Sequence, residues 1–236
     1  MYTINVPRSG QKRELTGKSI LWRVLAGLAI LTWGCTACQP GTQCPADEIR
    51  WFAATGHTVH GEFLCQFLSA GGSEVLGSPI TEPFQQEGRT VQCFAFACLE
   101  DHPDNLQGPT IKFSKLGERL DRWQPALTNS KIPTQFNKRS HYFVPTGHAV
   151  RGAFLNYFEA HDGMERLGFP IGEPMVVNGQ VVQDFQLSRL VWSADEQASG
   201  SVEREAIGVT WILRQNPDLL SPVPCPAGAA VEPAAK

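Results

Sequence analysis

The chain has 236 residues, of which 18% are charged and 42% hydrophobic, a globular composition rather than a disordered or fibrous one. Its formal net charge of -3 provides no electrostatic footprint for nucleic acid, so no nucleic-acid partner is expected.

The first segment reads as an address. Arg8, Lys12, Arg13 and Lys18 form a basic lead, and residues 24–33 are apolar and uncharged. A basic region before an apolar core of about 7–15 residues is the pattern of an export signal. The run falls short of the roughly 20 apolar residues that a spanning helix needs, and Arg23 interrupts its extension toward Ile20. A retained membrane anchor is the competing reading. Gly34-Cys35 and Ala37-Cys38 come immediately after it, and a small residue before a cysteine in this place resembles a bacterial lipobox. Cys35 or Cys38 is therefore the candidate for lipidation, against ordinary signal cleavage. Residues 1–38 are assigned to export and lipidation, and 39–48 to a tether containing Pro40, Gly41 and Pro45.

A fixed-period self-match organises the rest of the chain. A shift of 91 positions aligns residues 55–99 with 146–190 and pairs Thr55-Gly56-His57 with Thr146-Gly147-His148. Each unit is expected to open with a helix, because Val59, Phe63, Leu64 and Phe67, like Val150, Phe154, Leu155 and Phe158, fall at helical spacing. Thr55 and Thr146 are candidate caps. Gly71-Gly72 and Asp162-Gly163 stop these helices, and Leu-Gly-x-Pro-Ile sets an extended turn around Gly77 and Pro79, or Gly168 and Pro170. A hairpin should come next at Glu87-Gly88 and at Asn178-Gly179, then a further strand, then a second helix.

The expected fold is α+β: two tandem repeats, each a helix, a Gly-Pro turn, a β-hairpin with an extra strand, and a second helix. Repeat 1 covers 49–123 and repeat 2 covers 140–214, joined by a linker at 124–139 and followed by a disordered Pro/Ala-rich tail at 215–236. Each repeat is small for a core of its own, so the two are expected to pack on each other.

The duplication also serves as an internal control on chemistry. Cys93 aligns with Asp184 and Cys98 with Arg189. Two cysteines exchanged for an acid and a base imply that the two positions touch, as a disulfide in one copy and an ion pair in the other. The chain must bend between them, since positions an odd number apart on a straight strand face opposite ways. Cys44, Cys65 and Cys225 have no assignable partner. His57, His60 and Glu62 resemble a metal cluster, but His60 aligns with Arg151 and Glu62 with Ala153, so no metal site is assigned.

The polar residues kept in both copies are His57, Glu82 and Gln92, matched by His148, Glu173 and Gln183. Their structural reading is that they tie down backbone around the Gly-Pro turn; their functional reading is a shallow polar site for a sugar in each copy. No nucleophile elbow, phosphate-binding loop or dinucleotide fingerprint occurs, so no catalytic residue and no cofactor are assigned.

The run Gly163-Met164-Glu165-Arg166-Leu167-Gly168-Phe169-Pro170, with Glu173, Asn178-Gly179, Phe185 and Val191-Trp192 after it, resembles the LGFP repeat of bacterial cell-surface proteins. The first copy is similar, with Leu76-Gly77-Ser78-Pro79. The resemblance implies a role in holding protein at the cell wall, with cell-wall polysaccharide as partner and the outer face of the membrane or the cell surface as location. The alternatives are an interaction module for another envelope protein and a cell-wall hydrolase.

Overall fold

In the computed structural model, described here for residues 47–133, 139–193 and 200–233, the chain is mixed α+β. These residues belong to one compact unit spanning Gln43–Lys236. The export, lipidation and most of the tether assignments, including Cys35, Cys38 and Cys44, lie outside the described residues.

The first half begins with a hairpin that periodicity conceals. Strand β1 (Ile49–Phe52) pairs antiparallel with β2 (His57–His60). Val59 thus belongs to a strand, and helix α1 (Gly61–Ser69) starts only after it, burying Phe63, Leu64 and Phe67. Val59 and Phe63 share a core by packing across the strand–helix junction, so their spacing imitated a longer helix. Thr55 is not the cap: it sits in the β1–β2 turn, and His60 stands at the N-terminus of α1 without a side-chain cap. A short turn of helix, α2 (Ser73–Leu76), leads through Gly77, whose φ is 79°, into the sheet β3 (Phe84–Gln86), β4 (Arg89–Cys93), β5 (Cys98–Asp101) and β6 (Ile111–Phe113). Helix α3 (Leu116–Arg119) comes after the sheet.

The second half runs through the same order. It comprises β7 (Ser140–Phe143), β8 (His148–Arg151), α4 (Gly152–Ala160), α5 (Gly163–Arg166), the sheet β9 (Met175–Val177), β10 (Gln180–Asp184), β11 (Arg189–Ser193) and β12 (Ser201–Arg204), and α6 (Ile207–Gln215). Val150, like Val59, lies in a strand, and Thr146 lies in a turn before it. The expected hairpins are present: Glu87-Gly88 have φ of 51° and 78°, and Asn178-Gly179 of 50° and 80°. Two consecutive left-handed residues give the turn whose twist matches that of the flanking strands. The edge strands β6 and β12 go beyond the sequence reading; each is short, and their alternation is too brief to register.

The halves share a core. Ile80, Val91, Cys93, Cys98, Leu116 and Leu120 of the first half cluster with Ile207, Trp211 and Ile212 of α6. The contact is reciprocal in the backbone: Gly117 N–H donates to Gln186 O at 2.9 Å, and Gly208 N–H donates to Ala95 O at 3.1 Å.

The tail assignment needs correction. Pro217–Leu220 form a 3-10 turn, and β13 (Ala230–Glu232) pairs parallel with β1. Leu219 and Leu220 pack on the shared core, and Val223 N–H donates to Gly56 O at 2.7 Å. The prolines that signal disorder in a solvated tail serve equally well in an extended strap with a surface to lie on.

Candidate functional site

Cys93 and Cys98 face each other across β4 and β5 and form a disulfide, with Cα atoms 4.0 Å apart. The turn through Phe94–Ala97 reverses the chain and supplies the required bend. At the duplicate positions, Asp184 and Arg189 are also cross-strand partners, joined by two hydrogen bonds of 2.7 and 2.9 Å. The structure adds two members that alignment did not reveal. Arg122, just past α3, lies 3.6 Å from Asp184 and 3.0 Å from Glu205, and Arg189 reaches Glu205 at 3.3 Å. Burial opposes the charge of Arg189, but Asp184 and Glu205 outweigh it and hold the guanidinium above its ordinary pKa. The first half is closed here by a covalent bond, the second by four alternating charges. Cys65 is also disulfide-bonded, and Cys225 is an exposed free thiol.

The six duplicated polar residues do come together, three in each half. Gln92 donates from Nε2 to Thr58 O at 2.6 Å and to Thr81 O at 3.0 Å. Gln183 repeats this with Ala149 O at 2.9 Å and Gly172 O at 3.0 Å. Glu82 accepts from the backbone N–H of Thr58 at 2.8 Å and from its hydroxyl, and Glu173 accepts from the N–H of Ala149 at 2.8 Å. His57 and His148 are buried, each with Nδ1 3.4 Å from its glutamate, long for a hydrogen bond. His148 Nε2 also lies 3.1 Å from Gln124 O. Burial raises the Glu82 pKa, yet the contacts from His57 and Thr58 prevail and hold it below the ordinary carboxylate value. Each trio joins the β-hairpin, the Gly-Pro turn and the sheet. That is a tethering geometry for the amide Nε2 and carboxylate groups, which bond backbone, while Oε1 of Gln92 and Gln183 and Nδ1 of His57 and His148 are buried without a hydrogen-bond partner.

His60, at the outer end of β2, is exposed while His57 points inward, so the two do not converge. Among the described residues, no three His, Cys, Asp or Glu side chains gather as metal ligands. None of their helices is long and apolar enough to cross a membrane.

Two of the open hollows among the described residues bear on function. One, of about 560 Å³, is bordered by Leu127, Lys131, Arg151, Glu173 and Pro174, and brings one of the six duplicated polar residues to an open surface. The other, of about 520 Å³, runs between the halves. Its apolar lining includes Pro109, Phe113 and Leu187, and its polar lining Gln66, Ser69, Lys115, Glu165 and Arg166. Sequence reasoning missed this cleft, whose walls come from α1, β6 and α5. The one signal available was a mismatch in the duplication, Phe113 against Arg204.

No protein-family model matches the chain, and no curated protein is similar to it.

Proposed function

We propose that the protein is exported, held at the cell envelope through its N-terminal segment, and acts there as a non-catalytic binding or anchoring protein for cell-wall glycan. The observation that carries this reading is the cleft between the halves. An apolar wall with Phe113 beside amide, hydroxyl and charged groups is the composition that suits a sugar ring, which has an apolar face and a polar perimeter. The buried Cys93–Cys98 disulfide accords with an oxidising compartment. The resemblance of residues 163–192 to LGFP repeats points to the same surface location.

Sedimentation with purified cell-wall polymer tests the binding: the mature protein is expected in the pellet, and a protein left in the supernatant ends the glycan reading. Mass spectrometry of the mature N-terminus tests the anchor. A diacylglyceryl-modified Cys35 or Cys38 supports lipid tethering, and an unmodified N-terminus after cleavage refutes it.

A further inference from the structure

The two halves are not equivalent at the cleft. Shifting its lining by 91 residues lands on Tyr157 for Gln66, Arg204 for Phe113, Glu74 for Glu165 and Phe96 for Leu187. Phe113 and Arg204 hold the same place in their sheets, opposite Leu99 and Leu190. In the second half, the long Arg204 side chain lies across this ground. Its guanidinium donates to the backbone carbonyl of Glu74 at 2.9 Å and sits over the Phe96 ring, 5.5 Å from the centroid. Burial there lowers its pKa from the ordinary arginine value, even with Tyr157 favouring the charge. In the first half Phe113 is too short and too apolar to do the same, and the ground is open.

Arg204 therefore displays what the architecture accepts: a planar group with N–H donors that meets an α2-type carbonyl and covers an apolar side chain. The matching residue lining the open cleft is Glu165, with Leu187 in place of Phe96. A planar secondary amide provides the same donor, and its methyl group suits a leucine. Resting on the glycan-binding reading above, we infer that the Phe113 cleft takes one acetamido sugar of a glycan chain, and that Arg204 is the built-in occupant of its duplicate. The amide N–H donates to the Glu165 carbonyl, and the apolar face of the ring lies on Phe113. The full chain thus binds one such unit, not two, and the residue pair 113 and 204 decides where.

Titration calorimetry of the full mature chain with tri-N-acetylchitotriose, against cellotriose as a hydroxyl-bearing control, tests this. One site per chain is expected, with cellotriose weaker by about tenfold or more. Phe113→Arg should fill the cleft as Arg204 fills its duplicate and weaken chitotriose by a similar factor; Ser69→Trp, at a helical position on the cleft wall, should do so without touching the sheet. Arg204→Phe should add a second site. Equal binding of the two sugars, no binding of chitotriose, or unchanged binding by both cleft-filling variants overturns the assignment. Sedimentation separates the two levels of the argument. If Phe113→Arg and Ser69→Trp still pellet with wall polymer as wild type does, the cleft is wrong and the glycan function stands. If wild type does not pellet, the function itself falls.

Discussion

A β-carbon added to Gly208 would stand 2.0 Å from the carbonyl oxygen of Phe94, in the opposite half of the protein. The duplicate contact is the same: a β-carbon on Gly117 would stand 2.0 Å from the carbonyl oxygen of Phe185. Both phenylalanines are fully buried and end the β4 and β10 hairpin arms. Neither glycine has a left-handed φ, so what each position demands is close approach rather than unusual backbone. Gly117→Ala or Gly208→Ala must push a helix off a backbone carbonyl, which cannot rotate aside. Each is expected to destabilise by about 1–3 kcal/mol or more, read from urea denaturation. An unchanged midpoint would mean that the helices do not seat on the opposite hairpins.

The disulfide and its charged counterpart should fail differently. Removing Cys93 and Cys98 together opens a short loop, and the chain-entropy cost of so short a closure is about 2 kcal/mol. Asp184→Ala takes away the buried carboxylate and leaves Glu205 alone between Arg189 and Arg122, an excess positive charge that should cost about 3–5 kcal/mol. The charged variant is thus expected to be the less stable of the two, and the reverse order by chemical denaturation would refute the comparison.

Gln92 satisfies two backbone carbonyls from a fully buried position, so Gln92→Leu keeps the volume and strands both acceptors. A loss of about 1–3 kcal/mol per stranded group is expected, and Gln183→Leu should behave alike. A near-neutral Gln92→Leu would show that the tether is ornamental.

The depressed pKa of Glu82 sets the sign of a pH effect. A carboxyl that releases its proton more readily when folded adds stability above its unfolded pKa, about 4.3, and loses it as pH falls through the folded value. The stability gap between wild type and Glu82→Gln should therefore be present at neutral pH and close below about pH 4. A gap independent of pH would remove the charge of Glu82 from the account.

The tail should behave as part of the fold. Truncation after Gln215 removes the parallel partner of β1, the Val223 carbonyl that accepts from Trp51 Nε1 at 3.2 Å, and the packing of Leu219 and Leu220. Amide exchange in β1 is expected to accelerate and thermal stability to fall; exchange rates equal to those of the full chain would return the tail to solvent.

Much of this fold was legible in residue order because its causes are local. Asn178-Gly179 and Glu87-Gly88 adopt left-handed dihedrals, which few other pairs tolerate, and so mark their turns from within. The match of Cys93–Cys98 to Asp184–Arg189 was legible because the same geometry was written twice in different chemistry. The start of α1 was not, since Val59 reaches the same core from a strand that Phe63 reaches from a helix. The duplicated polar residues are visible in the sequence as a repeated set, but which backbone groups they meet depends on where the hairpin of β1 and β2 lies.

The sequence by itself determined the α+β class, the Gly-Pro turns, the hairpins at Glu87-Gly88 and Asn178-Gly179, and the pairing at 93 and 98. Those depend on dihedral preference and on spacing along one stretch of chain. Only the tertiary structure decided that Gly117 and Gly208 seat on opposite halves, that the tail straps the first hairpin, and that Arg204 covers one cleft while Phe113 leaves the other open. An apolar helix face or an extended proline-containing strand has many surfaces it could cover. The choice among them is made by shape and burial summed over distant residues, which no local pattern records.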